Sequence, residues 1–179
     1  STISWMILLF RAYFRLILGK SNPQGLILNL NYSKEDTAKF WSSFVKPNIL
    51  VVTHYNKDMK ILSKLIDNTK KKKGTIIFNS KDYKEMMKLI GKYNDIFIYG
   101  KDSEDISYDD SKENLLILKR KDQKYEIQTQ FLPIIKAESI VASLSVAIVK
   151  GVPLVEALYS LLKFEMPLRL VKNIKGILN

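Results

Sequence analysis

Three short apolar runs, each followed by a stretch with helical periodicity, constrain the fold of this chain more than any other feature. The runs span residues 48–53, 75–79 and 95–100 and are rich in Ile, Val and Phe. Continuous apolar runs of this length are typical of strands that are covered on both faces. Strands that alternate with helices usually pair in parallel through right-handed crossovers. The sequence therefore predicts a three-layer α/β domain with a mostly parallel sheet and helices on both faces.

The segments around these runs predict helices, because their apolar residues recur at helical spacing. One helix begins at a Ser33 cap, and its predicted buried face consists of Phe40, Trp41, Phe44 and Val45. The next helix ends in the four lysines 70–73 and Gly74. We interpret these lysines as the solvated end of a helix, where cations complement the helix dipole. A third helix is predicted over residues 81–93.

The second half of the chain follows a different pattern. Residues 102–110 are acidic and predict a loop. Two runs, 115–119 and 125–130, flank a polar turn and predict an antiparallel hairpin beside the sheet. Two more helices are predicted over residues 135–150 and 153–163, separated by Gly151.

Composition excludes several kinds of site. The 179 residues include no cysteine and one histidine, so disulfides, thiolate metal sites and multi-histidine metal sites are not expected. The net charge of +11 arises from lysines spread along the whole chain. We therefore expect neither nucleic acid nor a membrane surface as the partner. Cytoplasmic localisation is expected, with nucleotide and protein remaining as candidate partners.

The N-terminal residues carry two further apolar segments. Residues 5–18 are apolar except for Arg11 and Arg15, and the run is shorter than the roughly 20 residues that span a bilayer. We interpret it as a helix packed against the sheet. Residues 25–31 have the length of a strand.

Four strings resemble the central, ATP-binding domain of the Mur ligases. They are residues 44–53 (FVKPNILVVT), 64–82 (with GTIIFNSKD), 140–158 (with GVPL and EAL) and 164–169 (FEMPLR). The ligases that add D-alanyl-D-alanine to a UDP-muramoyl peptide resemble the chain best. The resemblance implies that residues 1–167 form a central domain that lacks its phosphate loop. It also implies that residues 168–179 form a hinge and the start of a truncated C-terminal element. It also implies descent from ATP-dependent amide bond formation in peptidoglycan precursor synthesis.

The chain departs from the family pattern where the resemblance implies catalytic groups. No glycine-rich Lys-Ser/Thr loop is present, and apolar or neutral residues stand at the positions that correspond to functional groups. These positions are Asn29–Asn31, Met59, Leu62, Ile135 and Ser139. Binding of ATP and magnesium is therefore expected only if the family site is retained. We expect a pseudoenzyme with no catalytic residue and no metal site.

Five residues are candidates for a residual nucleotide site. His54 follows a predicted strand, where open parallel sheets bind ligands, although an exposed loop histidine is the simpler interpretation. Asn79 and Asp82 could line the cleft or cap the following helix. Ser139 precedes the alanine-rich helix, and Arg169 could contact phosphate or pair with acidic neighbours. The alternative to a nucleotide-binding domain is a non-enzymatic scaffold that binds a protein or an anionic surface.

Overall fold

A computed structural model describes residues 27–28, 35–55, 59–112, 114–128 and 135–163. The predicted N-terminal helix, the domain boundary at 167/168 and Arg169 lie outside these residues. Of the predicted strand 25–31, only Ile27 and Leu28 are described, and neither belongs to a strand. No helix in the described part of the chain is long and apolar enough to cross a membrane.

Helices and strands alternate as far as the third strand and then give way to a hairpin. In chain order the elements of residues 35–163 are α1 (Glu35–Phe44), β1 (Ile49–Val52), α2 (Met59–Lys71), β2 (Thr75–Asn79), α3 (Tyr83–Ile90), β3 (Ile96–Gly100), β4 (Ile106–Lys112), β5 (Leu115–Arg120), β6 (Gln123–Gln128), α4 (Ala137–Val149) and α5 (Leu154–Leu162). A single 3-10 turn, Ser80–Asp82, joins β2 to α3.

The strands form one mixed sheet in the order β1-β2-β3-β4-β5-β6. The first four strands pair in parallel and the last three in antiparallel fashion. The predicted α/β class, with its parallel sheet and its hairpin, is confirmed. Parallel pairing requires cover on both faces, and the helices supply that cover.

The core has two halves, one on each face of the sheet. Ile77 and Tyr99 belong to a buried apolar cluster with Val141 and Leu144 of α4. Neighbouring side chains on a strand point to opposite faces. Ile76 and Phe78, both fully buried, therefore belong to the other face, where α2 and α3 pack against β2.

The predicted buried face of α1 is wrong for two of its four residues. Phe40 and Phe44 are 46% and 68% exposed, whereas Ser42 is buried. The side-chain amide of Asn68 on α2 donates hydrogen bonds to the backbone oxygens of Ser42 and Val45. These bonds turn the Ser42 side of α1 towards α2, and the two phenylalanines consequently face outwards.

The predicted loop over residues 102–110 is also wrong in part, because β4 begins at Ile106. Only Tyr99 and Gly100 of β3 pair with β4, opposite Ile106 and Ser107. A full parallel crossover needs about a dozen residues. The connection over residues 101–105 is short because the two strands overlap only at their ends. A connection of five residues is too brief to be distinguished from the start of β4 by the periodicity of the sequence.

Two side chains of this connection replace missing strand pairing. The backbone N–H of Ile98 donates to the carboxylate of Asp105 at 2.7 Å. The hydroxyl of Ser103 donates to the backbone oxygen of Ile98 at 2.5 Å. Both groups of Ile98 lie just before the point where β4 starts to pair. The connection thus completes the hydrogen bonding of the β3 edge.

Replacing Asp105 by alanine should lower the free energy of unfolding by about 1.5–3 kcal/mol, because the Ile98 N–H loses a charged acceptor. Chemical denaturation measures this change. Asp102→Ala, in the same connection but at an exposed position, should cost less than about 0.5 kcal/mol. Equal losses in the two variants would contradict the assigned role of Asp105.

Candidate functional site

A cleft of about 740 Å³ opens at the carboxyl ends of β2 and β3. In open sheets this is the edge at which ligands bind, because the loops that leave parallel strands meet there. The lining residues come from the end of β2, the 3-10 turn, the start of α3, β3, the β3–β4 connection, β4 and α4. They are Asn79, Ser80, Lys81, Tyr83, Ile98, Lys101, Asp102, Ser103, Glu104, Asp105, Tyr108 and Glu138.

The stagger of β4 builds one wall of the cleft. Gly100 is the last residue of β3 and pairs with Ser107. The residues of β4 that follow Ser107 therefore extend past the end of β3. Tyr108, the next residue, lines the cleft and is largely buried. The part of β4 that extends past β3 thus adds a wall, through Tyr108, to a space that β1, β2 and β3 alone would leave open.

Three polar side chains of the cleft lining meet where β2 ends. The side-chain amide of Asn79 and the ammonium of Lys81 both donate to Oε1 of Glu138, each at 2.5 Å. Oδ1 of Asn79 accepts the backbone N–H of Lys81 at 3.0 Å. Glu138 lies in the first turn of α4, where the helix dipole favours a carboxylate. We call Asn79, Lys81 and Glu138 the polar triad.

Two buried tyrosines adjoin the polar triad. Burial, followed by the nearby Glu138 carboxylate, raises the pKa of Tyr99 well above its usual range. The same two causes raise the pKa of Tyr108. Both phenols consequently stay neutral at physiological pH and can donate a hydrogen bond. The Tyr99 hydroxyl and Oδ2 of Asp82 are buried without a hydrogen-bond partner in the described part of the chain.

The cleft is acidic although the chain is basic. Its lining contains two lysines and four carboxylates, which gives a formal charge of −2, against +11 for the whole sequence. Lys81 pairs with Glu138, and Lys101 pairs with Asp110 at 2.8 Å. Both lysines are thus neutralised by neighbours, and an anionic ligand would meet a net negative surface.

Of the four candidate residues that the structure describes, one lines this cleft. Asn79 lines it and caps the 3-10 turn through Lys81. Asp82 lies at the start of α3, makes no side-chain cap bond and is not among the lining residues. Ser139 follows Glu138 but is exposed, and His54 is exposed beyond β1. Neither of the two lines the cleft.

Two members of the polar triad were not among the candidates from the sequence: Lys81 and Glu138. Little in the sequence indicates Glu138. It adjoins Ser139, a candidate, and it stands in the first turn of a predicted helix, where an acidic residue is ordinary. Only the 2.5 Å contacts to Asn79 and Lys81 distinguish it. Within the described residues, no group of three or more His, Asp or Glu side chains could hold a metal ion.

Fold and cleft together define a class, that of α/β proteins with a mixed sheet and a polar cleft at the carboxyl ends of its parallel strands. Comparison of the chain with protein-family models, with curated proteins and with solved structures finds no match.

Proposed function

We propose that this chain is a Mur-ligase-like central domain that has lost ligase activity and acts in the cytoplasm. Its cleft retains a site for the nucleoside part of a nucleotide. The observation that carries the proposal is the polar triad at the end of β2, in which an amide, an ammonium and a carboxylate converge inside a cleft. Such groups can recognise the hydroxyls and ring nitrogens of a nucleoside.

Burial at the substituted positions supports the loss of catalysis. Leu62 is 2% exposed and packs in the core, so its side chain is unavailable to a substrate. Ile135 is half-buried and packs against the cluster beneath α4. An apolar side chain that stands at a former functional position and is buried in the core contributes packing energy. Replacing it by a polar group would lower the free energy of unfolding.

The charge of the cleft restricts what it can bind. A triphosphate would bring several negative charges to a lining of formal charge −2. The neutral nucleoside avoids this repulsion and can use Oε2 of Glu138, since Asn79 and Lys81 both donate to Oε1 of that carboxylate. Arg169, outside the described residues, remains the candidate for a phosphate contact.

Calorimetric titration of the chain with adenosine, ATP and magnesium-ATP tests the proposal. We expect adenosine to bind and magnesium-ATP to bind no more tightly, without ATP turnover. Glu138→Gln should weaken adenosine binding by about tenfold, because it removes a charged acceptor worth about 1.5 kcal/mol. Glu126→Gln, which removes the same charge from an exposed carboxylate that also pairs with a lysine, Lys124, is the matched control and should leave binding unchanged.

Two outcomes would contradict the proposal. ATP turnover by this chain would disprove the loss of activity. Absence of adenosine binding, or binding that Glu138→Gln leaves intact, would disprove the site.

A second candidate is favoured by the exposed face of α5. Val155, Tyr159 and Leu162 recur at helical spacing and are 62%, 60% and 55% exposed. Contiguous exposed apolar residues mark protein interaction surfaces, as the scaffold alternative requires. Absence of nucleoside binding, together with self-association that Leu162→Ser abolishes in sedimentation experiments, would favour the scaffold.

A further inference from the structure

The edge of the sheet opposite the cleft carries a cluster of lysines. Three connections meet there: residues 45–48 before β1, the end of α2 with Gly74 before β2, and residues 91–95 before β3. They contain six lysines and one acidic residue, Asp95. We call these lysines the basic edge: Lys46, Lys70, Lys71, Lys72, Lys73 and Lys92.

Close contacts at Gly74 hold the three connections together. A Cβ at Gly74 would lie 2.5 Å from the backbone oxygen of Asn48, so the first connection passes directly against the second. The hydroxyl of Tyr93 donates to the backbone oxygen of Gly74 at 2.6 Å, which fixes the third. The six lysines are therefore carried by one rigid surface and not by independent loops.

The lysines of this edge are available to a ligand. Five of them are exposed and Lys70 is half-buried. None forms an ion pair with another residue in the described ranges, whereas Lys81, Lys101 and Lys124 do. Their mutual repulsion is a cost that an anionic partner would relieve.

An exposed aromatic pair adjoins the basic edge. Phe40 and Phe44 lie on the last turns of α1, with ring centroids 4.8 Å apart. Asn68 of α2 donates to the backbone oxygens of Ser42 and Val45, and Val45 is the residue after Phe44. The carboxyl end of α1, which carries the aromatic pair, thus packs beside the end of α2, where the run of four lysines begins.

The spread of lysines along the sequence argued against a membrane partner, but the fold brings six of them together. We propose that the basic edge and the pair Phe40–Phe44 form a docking surface for an anionic phospholipid bilayer. The lysines bind lipid phosphates, and the phenylalanines enter the boundary between headgroups and acyl chains. Each lysine near such a surface contributes an attraction equivalent to about a fivefold gain in partitioning. Exposed Phe beside Lys is the composition of segments that lie in the membrane interface.

Nucleic acid fits this surface less well. Single-stranded nucleic acid needs ring faces on which bases stack, and the two phenylalanines contact each other, which occupies part of those faces. The basic edge has no arginine, the side chain that reads guanine by paired hydrogen bonds. Lysines without arginine serve as point charges, which suits a surface of mobile headgroups.

Co-sedimentation of the full chain with phosphatidylglycerol-containing vesicles tests the proposal. We expect binding to these vesicles and little binding to pure phosphatidylcholine. The triple variant Lys71→Gln, Lys72→Gln, Lys73→Gln should partition about 100-fold more weakly, from roughly fivefold for each charge. Phe44→Ser should weaken partitioning roughly tenfold through lost apolar burial.

The matched control is Lys84→Gln, Lys112→Gln, Lys119→Gln, which removes the same charge from exposed positions elsewhere. The apolar residues 5–18 remain in every variant, so a difference between the triple variants reports on the basic edge. Circular dichroism checks that all variants fold alike. Equal losses in both triple variants, absence of vesicle binding at low salt, or tight binding to single-stranded RNA without vesicle binding would each overturn the proposal.

Discussion

Phe78→Ala should lower the free energy of unfolding by about 3–5 kcal/mol, the range for deleting a buried phenylalanine ring. Phe78 lies in the second strand of the sheet and is fully buried, and its ring lies 6.4 Å from that of Tyr83. The backbone around it is held by strand pairing on both sides, so the cavity cannot collapse. Thermal denaturation should show a fall in Tm of roughly 10 °C or more.

Phe44→Ala is the matched control, because the same ring is removed from a site that is 68% exposed. Its expected cost is below about 0.5 kcal/mol. A cost above about 2 kcal/mol for Phe44→Ala would show that the outward-facing side of α1 is covered in the folded chain. It would then contradict the docking surface as well.

Gly100→Ala is expected to cost about 2–6 kcal/mol and to weaken ligand binding in the cleft. Gly100 has a φ of +155°, which side chains rarely tolerate, and backbone strain of this kind costs about 1–3 kcal/mol. The added Cβ would also lie 1.9 Å from Oγ and 2.9 Å from Cβ of Ser80. Relieving that overlap costs about 1–3 kcal/mol more and displaces Ser80, which lines the cleft.

A double variant separates the two causes. Ser80→Gly combined with Gly100→Ala should recover about 1–3 kcal/mol in denaturant titrations, because the overlap disappears and the backbone strain stays. Gly91→Ala is the control for strain alone, since Gly91 has a φ of +60° and nothing lies within 4 Å of its Cβ position. If Gly100→Ala costs no more than Gly91→Ala, the contact with Ser80 is unimportant.

Much of the fold could be predicted because the local sequence pattern of these segments matches the environment that they have in the folded chain. The apolar runs that became β1, β2 and β3 are too short for helices and too continuous for surface strands. The helix after Ile135 and the hairpin around residues 121–122 appear close to where turn chemistry placed them. In these segments, each residue's local preference matches its final environment.

Prediction failed where a partner element decided the structure. The residues of β4 after Tyr108 are exposed and polar, and their strand conformation depends on pairing with β5. Phe40 and Phe44 have the spacing of a buried face, and the hydrogen bonds of Asn68 turn that face outwards. Neither pairing across strands nor the amide of a residue 20 or more positions away is visible in local periodicity.

The candidate site, like the fold, could be predicted from the sequence only in part. Asn79 was a candidate because it belongs to the string GTIIFNSKD, which resembles the Mur ligases. It lines the cleft because it ends a strand, and the strand ends of a parallel sheet converge at one edge. Glu138 comes from a helix 59 positions later. His54 lies two residues after the end of β1, yet it is exposed and does not line the cleft. A strand end therefore identifies the edge at which a site can form, without identifying which distant side chains complete it.

The sequence by itself determined the order of strands and helices, the parallel sheet and the basic character of the chain. Tertiary structure decided that carboxylates gather in the cleft while unpaired lysines gather at the opposite edge. The reason is physical: periodicity of apolar residues acts over a few positions, whereas charges 20 or more residues apart become neighbours only when the sheet brings their connections together.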